Sequence, residues 1–158
     1  MNEELNIHIR AATNADCARV QNLVFGVLRE YGLEPNLCRT DSDIADIEAA
    51  YTERGGIFEL LEDENGNLLG TVGLYPITNE KVELRKMYFA AHLRGKGYGK
   101  KTLARMIETA RSLGYKQIYL ETASALKEAV GLYRSFGFTE TQEKHTPRCD
   151  QAYFLNLV

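Results

Sequence analysis

Three glycines alternate with larger residues in the segment Arg94–Lys101, which joins an apolar strand pattern to an amphipathic helix pattern. They are Gly95, Gly97 and Gly99. Glycine lets the backbone curl so that successive N–H groups point at one place. The helix that follows adds its unpaired N–H groups and the positive end of its dipole. The segment therefore predicts a site for a ligand that carries a pyrophosphate.

The spacing of these glycines argues against two common phosphate-binding motifs. A P-loop needs glycine at position 94 and serine or threonine at position 101, where this chain has Arg94 and Lys101. A dinucleotide-binding turn needs its third glycine one residue after Gly99, and it follows a first βα unit rather than three antiparallel strands. Both motifs fit poorly.

Positive charge is concentrated around the glycine turn, although the whole chain carries a net charge of −3. The overall balance argues against a nucleic-acid partner. Glu83 is the single acid among the basic residues of this region, whereas acids predominate between Glu34 and Glu64. A solvated helix face is one explanation, but the central glycine turn favours attraction of a phosphate ligand. The basic residues concerned are Lys81, Arg85, Lys86, Arg94, Lys96, Lys100, Lys101 and Arg105.

Length and composition predict one soluble globular domain over residues 1–158, because 44% of the residues are hydrophobic and 26% are charged. The amino terminus is acidic, and no apolar run approaches the about 18 residues of a membrane span. We therefore expect a cytoplasmic protein without a membrane partner.

Three cysteines, Cys17, Cys38 and Cys149, lie far apart in the sequence without a metal-ligand spacing. We predict free thiols, with Cys17 buried on the apolar face of the first helix. His145 and Cys149 are separated by Pro147, which prevents them from sharing a helical face. We predict no metal site.

Periodicity and turn signals predict an α+β domain with a mixed sheet. Asn65-Gly66 predicts a hairpin turn within a meander of three antiparallel strands, and a right-handed strand–helix–strand unit follows. The core stripe of its helix is predicted to be Leu103, Ile107, Ala110 and Leu113. In chain order the predicted elements are a strand over Asn6–Arg10, a helix from Thr13 to Gly32, a short helix with Ile44, Ile47 and Tyr51 inward, strands over Ile57–Glu62, Leu68–Pro76 and Val82–Phe89, a helix from Gly99 to Gly114, a strand over Gln117–Glu121, a helix through Ala129–Phe136, and closing strands at Phe138 and over Gln151–Val158.

The pattern Arg-x-x-Gly-x-Gly, filled by Arg94, Gly97 and Gly99, resembles that of the GNAT superfamily of acyl-CoA N-acyltransferases. Two further segments agree: Glu83–Phe89 resembles the family's fourth strand, and Leu132–Phe138 resembles its late Leu-Tyr-x-x-x-Gly-Phe segment. The resemblance covers most of Leu68–Val158. It implies a mixed, mostly antiparallel central sheet flanked by helices, with the fourth and fifth strands splayed apart.

The resemblance also implies acetyl-CoA as co-substrate. Main-chain N–H groups of Arg94–Lys100 would hold its pyrophosphate, with Arg94 and Lys96 adding charge. The pantetheine would lie along the fourth strand like an added strand, and a main-chain N–H near Met87 or Tyr88 would polarise the thioester carbonyl. The cofactor-binding residues so implied are Met87, Tyr88, Phe89, Arg94, Gly95, Lys96, Gly97, Tyr98, Gly99 and Lys100.

Acyl transfer to an amine makes two demands on side chains. The amine arrives largely protonated, since the ordinary pKa of lysine is about 10.4, and the leaving thiolate needs a proton. Glu83 is the candidate base, acting through water, and Tyr133, at the family's usual tyrosine position, is the candidate acid. The structural alternatives are an ion pair of Glu83 with Arg85 and core packing of Tyr133, and Tyr88 is a second candidate for orienting water. No nucleophilic cysteine is required, which favours direct attack in a ternary complex.

One position departs from the family pattern. Family members often place an asparagine near the start of the last helix, where this chain has Leu126. Thr122 and Ser124 are the nearby hydroxyl groups that would replace this contact to the cofactor.

The acceptor is less well specified. Glu34 and Asp41 would attract a cation, whereas Arg39, Arg85 or Arg148 would hold a carboxylate, which favours a small polar, amino-acid-like amine over a protein tail. The alternatives are a protein or peptide amine as acceptor, and a non-catalytic module that binds acyl-CoA as a sensor. Family habit also suggests a homodimer.

Overall fold

The computed structural model describes residues 6–157, so Val158, at the end of the last predicted strand, lies outside the described residues. Within this range the chain forms seven strands and four α-helices, joined in places by short 3₁₀ turns. In chain order they are β1 (His8–Ala11), α1 (Cys17–Glu30), α2 (Ile47–Ala50), β2 (Ile57–Glu62), β3 (Leu68–Pro76), β4 (Lys81–Phe89), α3 (Tyr98–Ser112), β5 (Gln117–Thr122), α4 (Lys127–Ser135), β6 (Thr139–Thr141) and β7 (Gln151–Asn156).

The strands form one open sheet in the order β1-β2-β3-β4-β5-β7-β6. Every neighbouring pair is antiparallel except β4 and β5, which are parallel and joined through α3. The mixed α+β sheet and the antiparallel meander of β2, β3 and β4 confirm the prediction. The meander follows from its local turn, since Gly66 has the positive φ of 79° that its place between β2 and β3 requires.

Two apolar clusters cover the two faces of the sheet. One lies beneath α3 and α4, and the other lies beneath α1 and α2. Cys17 is buried in the second cluster, as predicted. The predicted core position Leu113 is wrong: it is 47% exposed, because α3 ends at Ser112 and the chain reverses at Gly114. Met106 fills the stripe instead and is fully buried.

A β-bulge interrupts the pairing of β3 with β4. Thr71 pairs with Tyr88 and Gly73 pairs with Arg85, so one residue of β3 lies opposite both Lys86 and Met87. Lys86 has φ 55°, a left-handed conformation that a residue with a side chain rarely adopts. The bulge bends β4 and changes the direction of its second half.

The pairing of β4 with β5 is short. It extends over Lys81–Glu83 and Gln117–Tyr119, and β4 then continues for six more residues without β5 beside it. The predicted separation of the fourth and fifth strands is thereby confirmed. Main-chain groups along the second half of β4 border the opening between the two strands.

None of the helices within residues 6–157 combines the length and the apolar character needed to cross a bilayer.

Candidate functional site

A cleft of about 1090 Å³ lies where β4 and β5 separate. One end is lined by the glycine turn and the other by Glu83 and its neighbours, so the cleft follows β4 along its second half. Six residues of strand span about 20 Å. The cleft is therefore long enough for an extended ligand and large enough for a second, smaller one.

The glycine turn ends at the amino terminus of α3. Gly95 and Gly97 have φ 75° and 86°, and Gly97 is the residue that precedes the first helical turn. The Lys101 N–H donates to the Gly97 carbonyl, which is the first main-chain bond of the helix. The N–H groups of the three residues before Lys101 are thus left free of helical partners, as at every helix start. This end of the cleft can bind an anion.

The structure divides the predicted pyrophosphate residues into two groups. Arg94, Gly95, Gly97, Tyr98 and Gly99 line the cleft. Lys96 and Lys100 are exposed and do not line it, so their charges act on it only from a distance.

The Arg94 side chain supports the turn from within the protein. Its Nε and Nη2 atoms donate to the Phe89 carbonyl at 3.1 and 3.0 Å, and Nη1 binds Glu30 Oε2 at 2.6 Å. The guanidinium also lies 5.5 Å from the ring centre of Tyr31, and the neighbouring Glu30 carboxylate raises the pKa of Arg94 further. Arg94 therefore fixes the end of β4 relative to the end of α1.

The predicted pantetheine residues Met87, Tyr88 and Phe89 all line the cleft and are half-buried. Phe89 packs tightly on β3, where a Cβ on Gly70 would approach its ring to 2.8 Å. Burial raises the pKa of Tyr88 well above its ordinary value. Tyr88 thus remains a neutral phenol at physiological pH.

Glu83 lies at the other end of the cleft and is 6% exposed. Its Oε1 atom accepts a hydrogen bond from Arg85 Nε at 2.9 Å and lies 2.8 Å from Arg85 Nη2, so the predicted ion pair is present. Burial raises the pKa of Glu83 and outweighs the opposing attraction of Arg85. The carboxyl group therefore binds a proton more readily than an ordinary glutamate.

Tyr133 lies on α4 and combines core packing with access to the cleft. Its ring is 6% exposed and packs edge-on against Phe138, with 5.8 Å between ring centres. Burial, with smaller contributions from Tyr88 and Cys149, raises its pKa well above the ordinary value of tyrosine. The phenol is protonated at every physiological pH and can donate.

Lys86, Asp41, Asp43 and Arg148 form a buried ionic cluster behind the bulge. Lys86 Nζ lies 3.2 Å from Asp41 Oδ1 and 3.1 Å from Asp43 Oδ1, and its side chain is 6% exposed. Arg148 binds Asp41 with two hydrogen bonds of 2.8 and 2.7 Å. Asp43 also accepts the Tyr51 hydroxyl. The cluster joins the bulge to two loops that border the cleft.

This cluster corrects two predictions about the acceptor. Asp41 is fully buried and satisfied by cations of the protein, so it is unavailable to a cationic substrate. Although burial alone would raise its pKa, Arg148 and Lys86 lower it to about 2. Arg148 does hold a carboxylate, but that carboxylate belongs to Asp41. Lys86 was predicted to help attract a phosphate ligand, but its ammonium group is bound by Asp41 and Asp43. Asp43 and Arg54 were not predicted as site residues, although Arg54 also lines the cleft.

Other polar groups of the cleft have defined places. Thr122 lines it beside Leu126, whereas the Ser124 hydroxyl binds Asp150 at 2.5 Å. Thr122 is thus the better placed of the two hydroxyl groups that were predicted to replace the missing asparagine. Cys149 also lines the cleft, and burial raises the pKa of its thiol to about 11. Within residues 6–157, no three His, Cys, Asp or Glu side chains are grouped to hold a metal ion.

The two glycines Gly97 and Gly26 allow a matched test of the turn. A Cβ on either would meet no atom within 4 Å, but only Gly97 has a left-handed φ. Gly97→Ala should lower the free energy of unfolding by about 1–2 kcal/mol and raise the KM for the pyrophosphate-bearing co-substrate that the turn implies, whereas Gly26→Ala in α1 should raise stability by about 0.5–1 kcal/mol. Urea unfolding and steady-state kinetics measure both effects. Equal changes in the two variants would contradict the left-handed turn.

Comparison with known proteins agrees with this architecture. Residues 26–138 match the Acetyltransferase (GNAT) family model. The uncharacterized N-acetyltransferase YjgM of Escherichia coli (strain K12) is 36% identical over 135 residues, which cover 82% of this chain and 80% of that protein. An acetyltransferase of the GNAT family from Staphylococcus aureus Mu50 superposes with a TM-score of 0.89 at 25% identity, covering 96% of this chain and 99% of that one. The protein yncA of Salmonella typhimurium, solved with its cofactor acetyl-CoA, has a TM-score of 0.75 at 27% identity and coverages of 97% and 95%.

Proposed function

The chain belongs to the GNAT family of acetyltransferases and is an acyl-CoA-dependent N-acetyltransferase, and we propose that it transfers acetyl from acetyl-CoA directly to the primary amine of a small polar acceptor. One observation carries this proposal. The early separation of β4 from β5 opens one continuous cleft that is lined by the glycine turn, the free edge of β4, Glu83 and Tyr133.

The residues at the glycine-turn end suit a pyrophosphate. Free N–H groups at the start of α3 and the left-handed glycines before it provide donors without the steric barrier of side chains. Met87 and Phe89 offer apolar contact to a pantetheine arm along β4. When bound, acetyl-CoA supplies an activated acetyl group. A main-chain N–H at Met87 or Tyr88, turned by the bulge, donates to the thioester carbonyl.

Glu83 and Tyr133 take the two proton-transfer roles. Glu83 accepts the amine proton through a water molecule, and its raised pKa makes it a better base than an ordinary glutamate. Tyr133 holds its proton at neutral pH, donates it to the sulfur as the C–S bond breaks, and regains a proton from solvent. These opposite roles match the two demands of acetyl transfer.

Direct transfer is favoured over an acetylated enzyme because the cysteine that lines the cleft is poorly nucleophilic. Burial raises the pKa of the Cys149 thiol to about 11, so almost no thiolate forms at neutral pH. Cys17 is buried in the apolar cluster beneath α1. An acetyl group would therefore pass to the amine without stopping on a cysteine.

The acceptor is proposed to be small because two loops meet across its end of the cleft. Arg148 binds Asp41 through two hydrogen bonds and also donates to the Glu34 carbonyl at 3.2 Å. These bonds tie the segment before α2 to the segment before β7. A peptide that crosses the cleft would have to break them.

The proposed role of Glu83 predicts a pH dependence. Because the base must be ionised, kcat/KM should rise with pH through a limb that lies above the ordinary glutamate pKa of about 4.3. Glu83→Gln should remove this limb and lower kcat about 10²-fold, at the low end for loss of a general base because an amide still orients water. Initial rates across pH measure both effects. The exposed Glu80→Gln is the control, and an unchanged acid limb in Glu83→Gln would rule out this base.

Release of free thiol from acetyl-CoA tests the function as a whole. The acceptor panel contains amino acids, polyamines, aminoglycosides and lysine-containing peptides. The proposal predicts turnover with small amines and little with peptides. Turnover with peptides alone would replace the small acceptor by a protein tail.

A further inference from the structure

Two guanidinium groups lie on one aromatic ring at the acceptor end of the cleft. The Cζ atom of Arg85 is 3.7 Å from the ring centre of Tyr75, and that of Arg54 is 4.4 Å from it. Tyr75 pairs with Glu83 across β3 and β4, and its ring packs edge-on against the buried Tyr51 at 5.6 Å. The ring is therefore fixed, and it holds both cations beside the candidate base. We call Arg54, Tyr75 and Arg85 the arginine–tyrosine cluster.

The cluster carries a positive charge that no carboxylate among residues 6–157 neutralises. Arg85 is paired with Glu83. Arg54 donates to the main-chain carbonyl of Pro76 at 3.0 Å, and within residues 6–157 it has no carboxylate at ion-pair distance. One of the two cations thus lacks an anionic partner, and both line the cleft.

Three other cations that line the cleft are neutralised by carboxylates. Lys86 and Arg148 are bound by buried carboxylates, and Arg94 is bound by Glu30. Glu121 accepts main-chain N–H groups of His145 and Thr146 at 2.6 and 2.9 Å, which occupy one of its oxygens. Arg54 differs from the exposed Arg39 of the same cleft in that its guanidinium is held on Tyr75, which pairs with Glu83.

We propose that the arginine–tyrosine cluster binds the carboxylate of an amino-acid-like acceptor whose amine lies at Glu83. This inference rests on the proposed acetyl transfer. A guanidinium group is planar and matches a carboxylate through two parallel hydrogen bonds. Arg85 uses Nε and Nη2 on Glu83, which leaves donors on Nη1, and Arg54 adds a second set.

The neighbouring charges also set the orientation of such an acceptor. An amino acid carries an ammonium and a carboxylate close together, and Glu83 and Arg85 present the opposite charges on the same face of β4. A polyamine would instead bring a second cation towards Arg54, where like charges repel. The cluster therefore selects acceptors with an acid group near the amine.

Matched pairs of acceptors test this inference. Each amino acid is compared with its own α-carboxamide, by thiol release and by calorimetric titration into the protein saturated with CoA. For the amino acid with the preferred side chain, the acid should have a kcat/KM about tenfold higher than that of its amide and a Kd about tenfold lower. Arg54→Gln should remove this preference by raising the KM of the acid about tenfold, with the KM for acetyl-CoA unchanged.

Arg29→Gln is the control, because Arg29 is an exposed arginine at the end of α1 that does not line the cleft. It should keep the preference for the acid. Equal use of acid and amide by the parent protein, or equal loss of both in Arg54→Gln, would overturn the inference while acetyl transfer stands. If no amine is turned over, acetyl transfer fails, and the titration still decides the inference: equal binding of acid and amide overturns it.

Discussion

Tyr133→Phe should lower kcat about 10³-fold while the affinity for acetyl-CoA stays within a few-fold of the parent value. The substitution removes a single oxygen atom. The aromatic ring remains in place, packed against Phe138 and with its centre 6.3 Å from the ring centre of Tyr153, so the fold should be unaffected. The loss would fall on the chemical step, because the leaving thiolate no longer receives the phenolic proton. Steady-state kinetics and a titration with CoA separate the two quantities.

Cys149→Ser is the control for Tyr133→Phe. Cys149 lines the same cleft and contributes to the raised pKa of Tyr133, but the proposed mechanism gives its thiol no role. Its kcat should stay within a few-fold of the parent value. A Tyr133→Phe protein that retains full kcat, or a Cys149→Ser protein that loses it, would assign the proton to a different group.

Lys86→Met should lower the free energy of unfolding by about 3–5 kcal/mol, because it leaves the buried carboxylates of Asp41 and Asp43 with Arg148 as their remaining cation. Methionine has a similar length and meets the same backbone strain at φ 55°, so the change isolates the ammonium group. Urea denaturation measures the loss. We also expect a lower kcat, since the bulge that turns the main-chain N–H groups of β4 would relax.

Two further variants give this prediction a control and a partial reversal. Lys81→Met on the same strand removes an ammonium that lies 4.5 Å from the ring centre of Tyr119, and it should cost about 0.5–1 kcal/mol. Adding Asp43→Asn to Lys86→Met should recover part of the stability, because an amide oxygen still accepts the Tyr51 hydroxyl. A Lys86→Met protein as stable as Lys81→Met would show that the buried cluster contributes little.

Local patterns predicted most of the fold. The bounds of β2 and β3 match the prediction residue for residue, because Gly55-Gly56 before β2 and the Asn65-Gly66 turn after it are short-range signals. The glycine turn was predictable for the same reason, since Gly97 precedes a helix whose first N–H groups need no side chain. The separation of β4 from β5 followed from the family resemblance rather than from periodicity.

The bulge and the buried cluster could not be derived from such signals. Lys86 is the next residue in the every-second-residue series of Val82 and Leu84, whose side chains face the core. A lysine at such a position was the local sign in the sequence that the strand is irregular. Its partners Asp41 and Asp43 lie more than forty positions earlier in the sequence. Pairing over that distance depends on how α2 packs on the sheet. Arg54 was missed for a similar reason, because its place on Tyr75 is a tertiary contact.

The most direct test of the proposed transfer is an initial-rate study in which acetyl-CoA and an amino-acid acceptor are varied together. Direct attack within one cleft requires both substrates to be bound at once, so double-reciprocal plots should intersect. Mass spectrometry of the protein after acetyl-CoA alone should find no added acetyl group. Parallel lines together with an acetylated protein would contradict the account, because the acetyl group would then pass through the enzyme itself.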